Sequence, residues 1–406
     1  MRFGLKKAAA AVLAVVLAAS LCGCDRGYIM TVDGMDIRNG VYLSYLRTAY
    51  SMAGEEFEKQ NSETSDDDTA ADDTSEPATP ITKEEIDGKS GSQWIKDETM
   101  KSIRRFVAIQ RECEELDITL TEDEIKDINT SLTETWDNEN QYVQYLYGYK
   151  TMGEYYESQG IGQESMREIL RVNKLQEKLF MYFYGKDGEY EVKESEINDF
   201  LKENYATVKL LSLSYTDASG NKLEKDEDKK AVKDDAQKYA DRINKGDKPV
   251  DVFYEYNLAK AEEAAKAKAE KDYKEDNEDK LTKEEWIKKQ VEEADIKKAE
   301  SEDELDRVIS KESSSFDEKT TEYIFNAPSD GKATIFETEN GVYLIVKEDI
   351  TEKSKWKEDN NENILNEIKG DEFQGKLDIY GQNYDVDADE SLVNKKYGPE
   401  KLNTSN

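Results

Sequence analysis

Histidine is absent from all 406 residues. Its absence excludes Ser-His-Asp and Cys-His nucleophile systems and any metal site built on imidazole. A metal would have to be held through oxygen alone, as Ca2+ is. No stretch has the EF-hand order of acidic residues, glycine and a closing glutamate, so the acidic runs read as solvated charge, and neither a metal nor another cofactor is expected. Cysteine is scarce, at positions 22, 24 and 113. Long apolar runs are also missing, apart from one near the N-terminus. Positive charge is in deficit, with 57 Lys and Arg against 92 Asp and Glu and a net charge of -35. Such a surface repels phosphates and anionic head groups, which argues against nucleic acid as a partner.

The one apolar run, Ala8 to Leu21, follows Arg2, Lys6 and Lys7. A basic head with an apolar stretch shorter than the about 20 residues of a spanning helix fits a secretory signal. Leu21-Cys22-Gly23 before Cys24 resembles the bacterial lipoprotein box, whereas Leu21 is too bulky for a cleavage site before Cys22. The expectation is a signal over 1–23, cleavage after Gly23 and lipid on Cys24, holding the chain at the outer face of a bacterial cytoplasmic membrane. Several acyl chains anchor stably, since each buried CH2 contributes roughly 0.8 kcal/mol. The alternative is an ordinary secreted chain with two incidental cysteines. Losing three cations with the signal takes the net charge to -38. Cys113 would then be the remaining thiol, unable to form an internal disulfide and placed on an apolar helical stripe as a small core residue.

Along the chain, Tyr28–Val32 with Asp33-Gly34 reads as a strand and tight turn. Tyr42, Leu46, Ala49, Ala53 and Phe57 give a helix over 40–60. Residues 61–80, acidic and without Lys or Arg, read as a disordered loop. Met100, Ile103, Phe106, Val107, Ile109, Cys113 and Leu116 line a long helix, and Thr121 to Glu124 form a capping box for the next. A stretch dense in tyrosine, 142–149, precedes helices over 151–158 and 163–184 and a short one within 192–205. None is apolar all round, so they bury their stripes on one another. The pattern changes at Ala206, where a strand runs to Tyr215. A polar helix follows over 228–245, and then a charged helical insertion with little core, 259–311. Asn340-Gly341 between apolar alternations signals a hairpin. A helix over 356–379 and a short tail follow.

Four marks in this order carry a resemblance. They are Val32-Asp33-Gly34 leading into a helix; two helices joined through Leu116 to Glu124; Tyr155 to Ile161 running into Glu164-Ser165-Met166-Arg167; and Tyr190 to Ile197 opening into a helix and strand. Behind a lipoprotein signal, the order resembles the parvulin-type foldase family that includes the PrsA lipoproteins and the SurA chaperones. The resemblance implies an α+β, predominantly helical chain: a SurA-like helical chaperone domain, 24–205, completed by the C-terminal helix within 352–406, with a degenerate parvulin-like α/β domain, 206–351, set between. It implies a membrane-anchored foldase whose partners are unfolded, newly secreted polypeptides.

In that family the first strand of the isomerase domain usually carries a histidine, here replaced by Leu210 or Leu211, and Tyr343 stands where a second is expected. The prolyl-pocket segment falls where the charged insertion lies. Phe253, Phe325 and Tyr343 are candidates for a remnant cleft, with plain core packing as the alternative. Tyr142, Tyr145, Tyr147, Tyr149, Tyr155 and Tyr156 are candidates for client binding, each offering an apolar face and a polar tip; packing between helices is their alternative. The leading expectation is a chaperone with isomerase activity weak or lost. An active peptidyl-prolyl isomerase and a surface scaffold with one fixed partner stand beside it.

Overall fold

Asp33 and Gly34 both adopt positive φ, 50° and 73°, the backbone of a tight hairpin turn whose twist suits the flanking strands. They join β1 (Tyr28–Val32) to β2 (Met35–Arg38), with Val32 opposite Met35. The structure, a computed structural model, describes residues 27–64, 79–274 and 281–402. Cys24 with its motif, and most of the 61–80 loop, lie outside the described residues. Among the described residues no helix is long and apolar enough to cross a membrane.

The long helix α1 (Asn39–Thr64) follows β2. A second, shorter hairpin, β3 (Glu85–Ile86) and β4 (Lys89–Ser90), turns through Asp87 and Gly88 at the same φ values as the first. It too leads directly into a long helix, α2 (Gly91–Glu115), which Ser90 caps. Next come α3 (Glu122–Asp137), α4 (Gln141–Tyr147), α5 (Met152–Ser158) and α6 (Gln163–Tyr184). Helix α1 packs on α2 and α6, and α3 on α5 and α6. Ile95, Ile103, Phe106, Val107, Ile169, Val172 and Leu179 are buried at these seams, as stripes at helical spacing require. Cys113 is buried and free, and burial pushes its thiol up to about 11.

The chain divides into two units, one of residues up to 192 together with those from 365 on, the other of residues 193–364. The second unit starts with α7 (Glu194–Asn204) and β5 (Tyr205–Ser214), then α8 (Asp226–Asn244), α9 (Pro249–Asp272) and α10 (Lys283–Glu293). It continues with β6 (Asp306–Ser310), α11 (Glu318–Asn326), β7 (Ala333–Thr338), β8 (Gly341–Glu348) and α12 (Ser354–Asp359). The strands form one antiparallel sheet in the order β6-β5-β8-β7. Helices α9 and α10 pair along the charged segment, and α10 buries no residue. The reading of 259–311 as wholly helical is corrected at its end: residues 306–310 are an edge strand, because Val308 and Ile309 pair with Thr207 and Ala206. Lys209, 1% exposed, lies between Asp306 at 2.7 Å and Glu348 at 2.6 Å, and Lys353 reaches Asp306 at 2.7 Å. A buried cation so paired resists displacement, because removing one partner strands the other.

The last long helix, α13 (Asn361–Gly381), contributes Leu365, Phe373 and Leu377 to the core of the first unit. Phe373 meets Phe180 edge-on at 5.3 Å, and Asp378 accepts two hydrogen bonds from Arg105. Arg104 donates to the carbonyls of Gly381, Gln382 and Tyr384 at 2.9–3.1 Å, closing the helix C-terminus. Strand β9 (Val386–Ala388) then pairs antiparallel with β1, giving the order β2-β1-β9. The chain is thus predominantly helical with three small sheets.

Candidate functional site

The tyrosine-dense stretch becomes the two short helices α4 and α5. Asn140 caps α4 by accepting from the backbone N–H groups of Tyr142 and Val143 at 3.0 and 3.2 Å, and Gly148, at φ 73°, ends it in the left-handed region. A bridge between Glu139 and Thr151 closes the loop around α4, and Thr151 caps α5. Trp136, at the end of α3, supports α5. It stacks on Tyr156 at 5.9 Å, and a Cβ at Gly153 would stand 2.4 Å from its ring. Glycine is required there by close approach.

The six tyrosines divide into two groups. Tyr155, 5% exposed, is the hub, with ring centroids of Tyr147 at 4.7 Å, Tyr156 at 5.8 Å and Tyr149 at 5.9 Å. Burial pushes the Tyr147 hydroxyl up to about 12, helped by Tyr155 and Tyr142, and it raises Tyr155 and Tyr156 as well. Arg47 of α1 is near Tyr155; burial lowers its guanidinium to about 10, and its Nε lacks a hydrogen-bond partner. Tyr142 and Tyr145, by contrast, are 60% and 86% exposed, one turn apart on α4, with Leu146 at 39% beside them. Val143, between them in sequence, points inward and is buried. The result is a ledge: four packed tyrosines as its base, and two tyrosines and a leucine in water at its edge. A shallow open hollow along α3, lined by Ile125, Asn129, Thr133 and Glu134 among others, has no enclosed depth.

In the sheet unit, strand alternation separates the three cleft candidates. Phe253 of α9 is buried with Leu211, Leu213, Val342 and Leu344 on one face. Phe325 and Tyr343 pack with Leu210 and Ile345 on the other. One cleft lined by all three is therefore not formed, because residues 342 and 343 of one strand must point to opposite faces. Tyr343 lies directly across from the exposed Ser212, and neither Leu210 nor Leu211 holds that position. Sequence reasoning missed the aromatic layer around Tyr343. Phe316 meets it edge-on at 5.6 Å, and Tyr323 stacks on Phe336 at 4.5 Å. The cross-strand pair Phe336–Tyr343 joins the two contacts; spacing within the hairpin was its only sequence signal. Lys347, on the same face, donates to the carbonyls of Phe325 and Ala327 at 2.7 and 3.0 Å, and burial lowers its pKa. It caps the end of α11.

No family model matches the sequence, and no curated protein matches it. Among solved structures, the chain is similar to PrsA from Bacillus subtilis at 13% identity, covering 94% of this chain and 100% of that one, with a TM-score of 0.24. It is likewise similar to the foldase protein PrsA from Lactococcus lactis at 12% identity, covering 90% and 96%, with a TM-score of 0.28. A likeness this distant assigns neither an activity nor a residue role.

Proposed function

We propose that this chain is an extracytoplasmic chaperone of the foldase type, carried by lipid on Cys24, that holds unfolded secreted polypeptides and has little or no isomerase activity. The observation that carries the reading is the ledge, where Tyr145 is 86% exposed above a packed tyrosine base. Contiguous apolar surface kept in water marks a site that something covers. Tyrosine suits transient contact with many sequences, because its ring is apolar and its tip tolerates water. The net charge of -35 keeps copies apart while such a surface stands open. The order of marks behind the lipoprotein signal supports the same reading.

Prolyl isomerisation has a barrier of about 18–20 kcal/mol set by amide resonance. A catalyst needs a pocket for the ring and polar groups that favour the twisted amide. The separation of Phe253 from Phe325 and Tyr343 speaks against such a pocket. The aromatic layer of Tyr343, Phe336, Phe316 and Tyr323, with Ser212 at its open end, favours the second reading of an active isomerase. A proline-peptide assay on the full chain separates the two: the uncatalysed rate is expected, and a rate well above it establishes the enzyme. Suppression of aggregation across several unrelated unfolded clients is expected for the chaperone. Binding to one folded partner alone would make the chain a scaffold.

A further inference from the structure

The ledge has a charge pattern of its own. Between residues 134 and 157 the exposed acids are Glu134, Asp137, Glu139, Glu154 and Glu157, against a single cation, Lys150. Among the described residues none of the five has an ion-pair partner. This contrasts with α2, where Arg105, Arg111 and Lys101 all engage carboxylates. Unpaired acids therefore share the segment 134–157 with two tyrosines exposed to water. Arg47, the other cation near the tyrosines, is half-buried beside Tyr155. Glu154 also accepts from the Lys150 backbone N–H at 2.8 Å, which holds its carboxylate at the base of α5.

Resting on the chaperone reading, we propose that the ledge selects one class of client segment: extended polypeptide bearing lysine or arginine beside apolar residues. An aliphatic or aromatic side chain covers the Tyr142 and Tyr145 rings and Leu146. A neighbouring cation lies over a tyrosine face, where the ring quadrupole attracts it, and within reach of Glu139, Glu157 or Asp137. Acidic segments meet the same apolar surface with repulsion, so discrimination comes from charge and holding from the rings.

Short unstructured peptides, identical except for Lys, Gln or Glu at two positions beside leucines, test this on the full chain by fluorescence anisotropy. The Lys peptide is expected to bind roughly five-fold tighter than the Gln peptide, and the Glu peptide weakest, with the preference shrinking in about 0.5 M salt. Glu139→Gln with Glu157→Gln removes the preference and leaves Gln-peptide binding unchanged. A matched pair elsewhere, Glu339→Gln with Glu358→Gln, leaves the preference in place. Tyr145→Ala weakens Lys and Gln peptides alike. Equal binding of the three peptides overturns the proposal while leaving the chaperone reading intact. A preference lost equally with the distant pair overturns it too, assigning selection to overall charge. Failure of every peptide to bind, together with no aggregation suppression, overturns both. Sedimentation as a dimer that Tyr145→Ala dissociates would show that a second copy covers the ledge, and overturns the proposal as well.

Discussion

The helical unit holds two aromatic assemblies that differ in how they end. In one, Phe180, Tyr184 and Phe373 are 4%, 1% and 1% exposed, and Phe373 arrives from a helix nearly two hundred residues away in sequence. The Tyr184 hydroxyl donates to Glu372 at 3.2 Å, and Lys376 lies 3.8 Å over the Tyr190 ring. In the other, Tyr155 is buried among the half-buried Tyr147, Tyr149 and Tyr156, and the next residues outward, Tyr142 and Tyr145, face water. The same residue types serve as core in one place and as surface in the other. What differs is whether a distant segment reaches the packed rings. Helix α13 brings Phe373 onto Phe180 and Tyr184, although Tyr182 and Tyr190 at that assembly's rim stay 49% and 40% exposed. Such long-range pairing is not encoded in local sequence.

Substitutions can break or sharpen the contrast. Phe373→Ala should cost the most, about 3–5 kcal/mol, because it empties a buried ring site that cannot collapse; urea denaturation measures it, and a loss below about 1 kcal/mol would mean the assembly is not sealed. Gly153→Ala forces a methyl group against Trp136 and should cost about 1–3 kcal/mol by overpacking. Tryptophan fluorescence should shift with it, since the stack on Tyr156 must open.

Alkaline titration addresses the base of the ledge. Tyr147 is raised from 10.0 to about 12 by burial first, then by Tyr155 and Tyr142. A raised tyrosine contributes stability that is whole below pH 10 and declines as pH climbs toward 12. Denaturation at stepped pH should show that decline, and Tyr147→Phe should make it shallower. The smallest effect on stability belongs to Tyr145→Ala, within about 0.5 kcal/mol because the ring is already in water, while client holding falls measurably in the aggregation assay. A stability loss comparable to that of Phe373→Ala would erase the distinction between the two assemblies.

Much of the architecture was legible where periodicity was strong. The capping box at Thr121 and Glu124 is present, because it is set by local hydrogen bonding. The hairpin is present too, but its two turn residues are Glu339 and Asn340, with Gly341 already paired to Thr338. The second hairpin, at Asp87-Gly88, carries little sequence signal although it repeats the first, since its strands are only two residues long. In sequence, β6 looks like the end of a charged insertion and β9 like tail. Their pairing comes from β5 and β1, so short polar sequences such as Val386-Asp387-Ala388 carry no signal of their own. At the site, the tyrosines were visible by count, but their division into base and edge was not. That division follows from α4 turning Val143 inward and leaving Tyr142 and Tyr145 outward. The aromatic cleft failed for a related reason: one strand presents alternate residues to two sides, and proximity in sequence does not say which side a helix will cover.

The antiparallel union of Val32 with Val386 dictates an order of events during synthesis. Made from its N-terminus, the polypeptide presents Phe180 and Tyr184 long before Phe373 exists to meet them. Every strand of the four-stranded sheet falls between residues 205 and 348, so that sheet is free to close while the earlier helices still wait. Synthesis thus starts the helical half first and finishes it last, and for that interval a protein proposed to shelter immature chains is itself one.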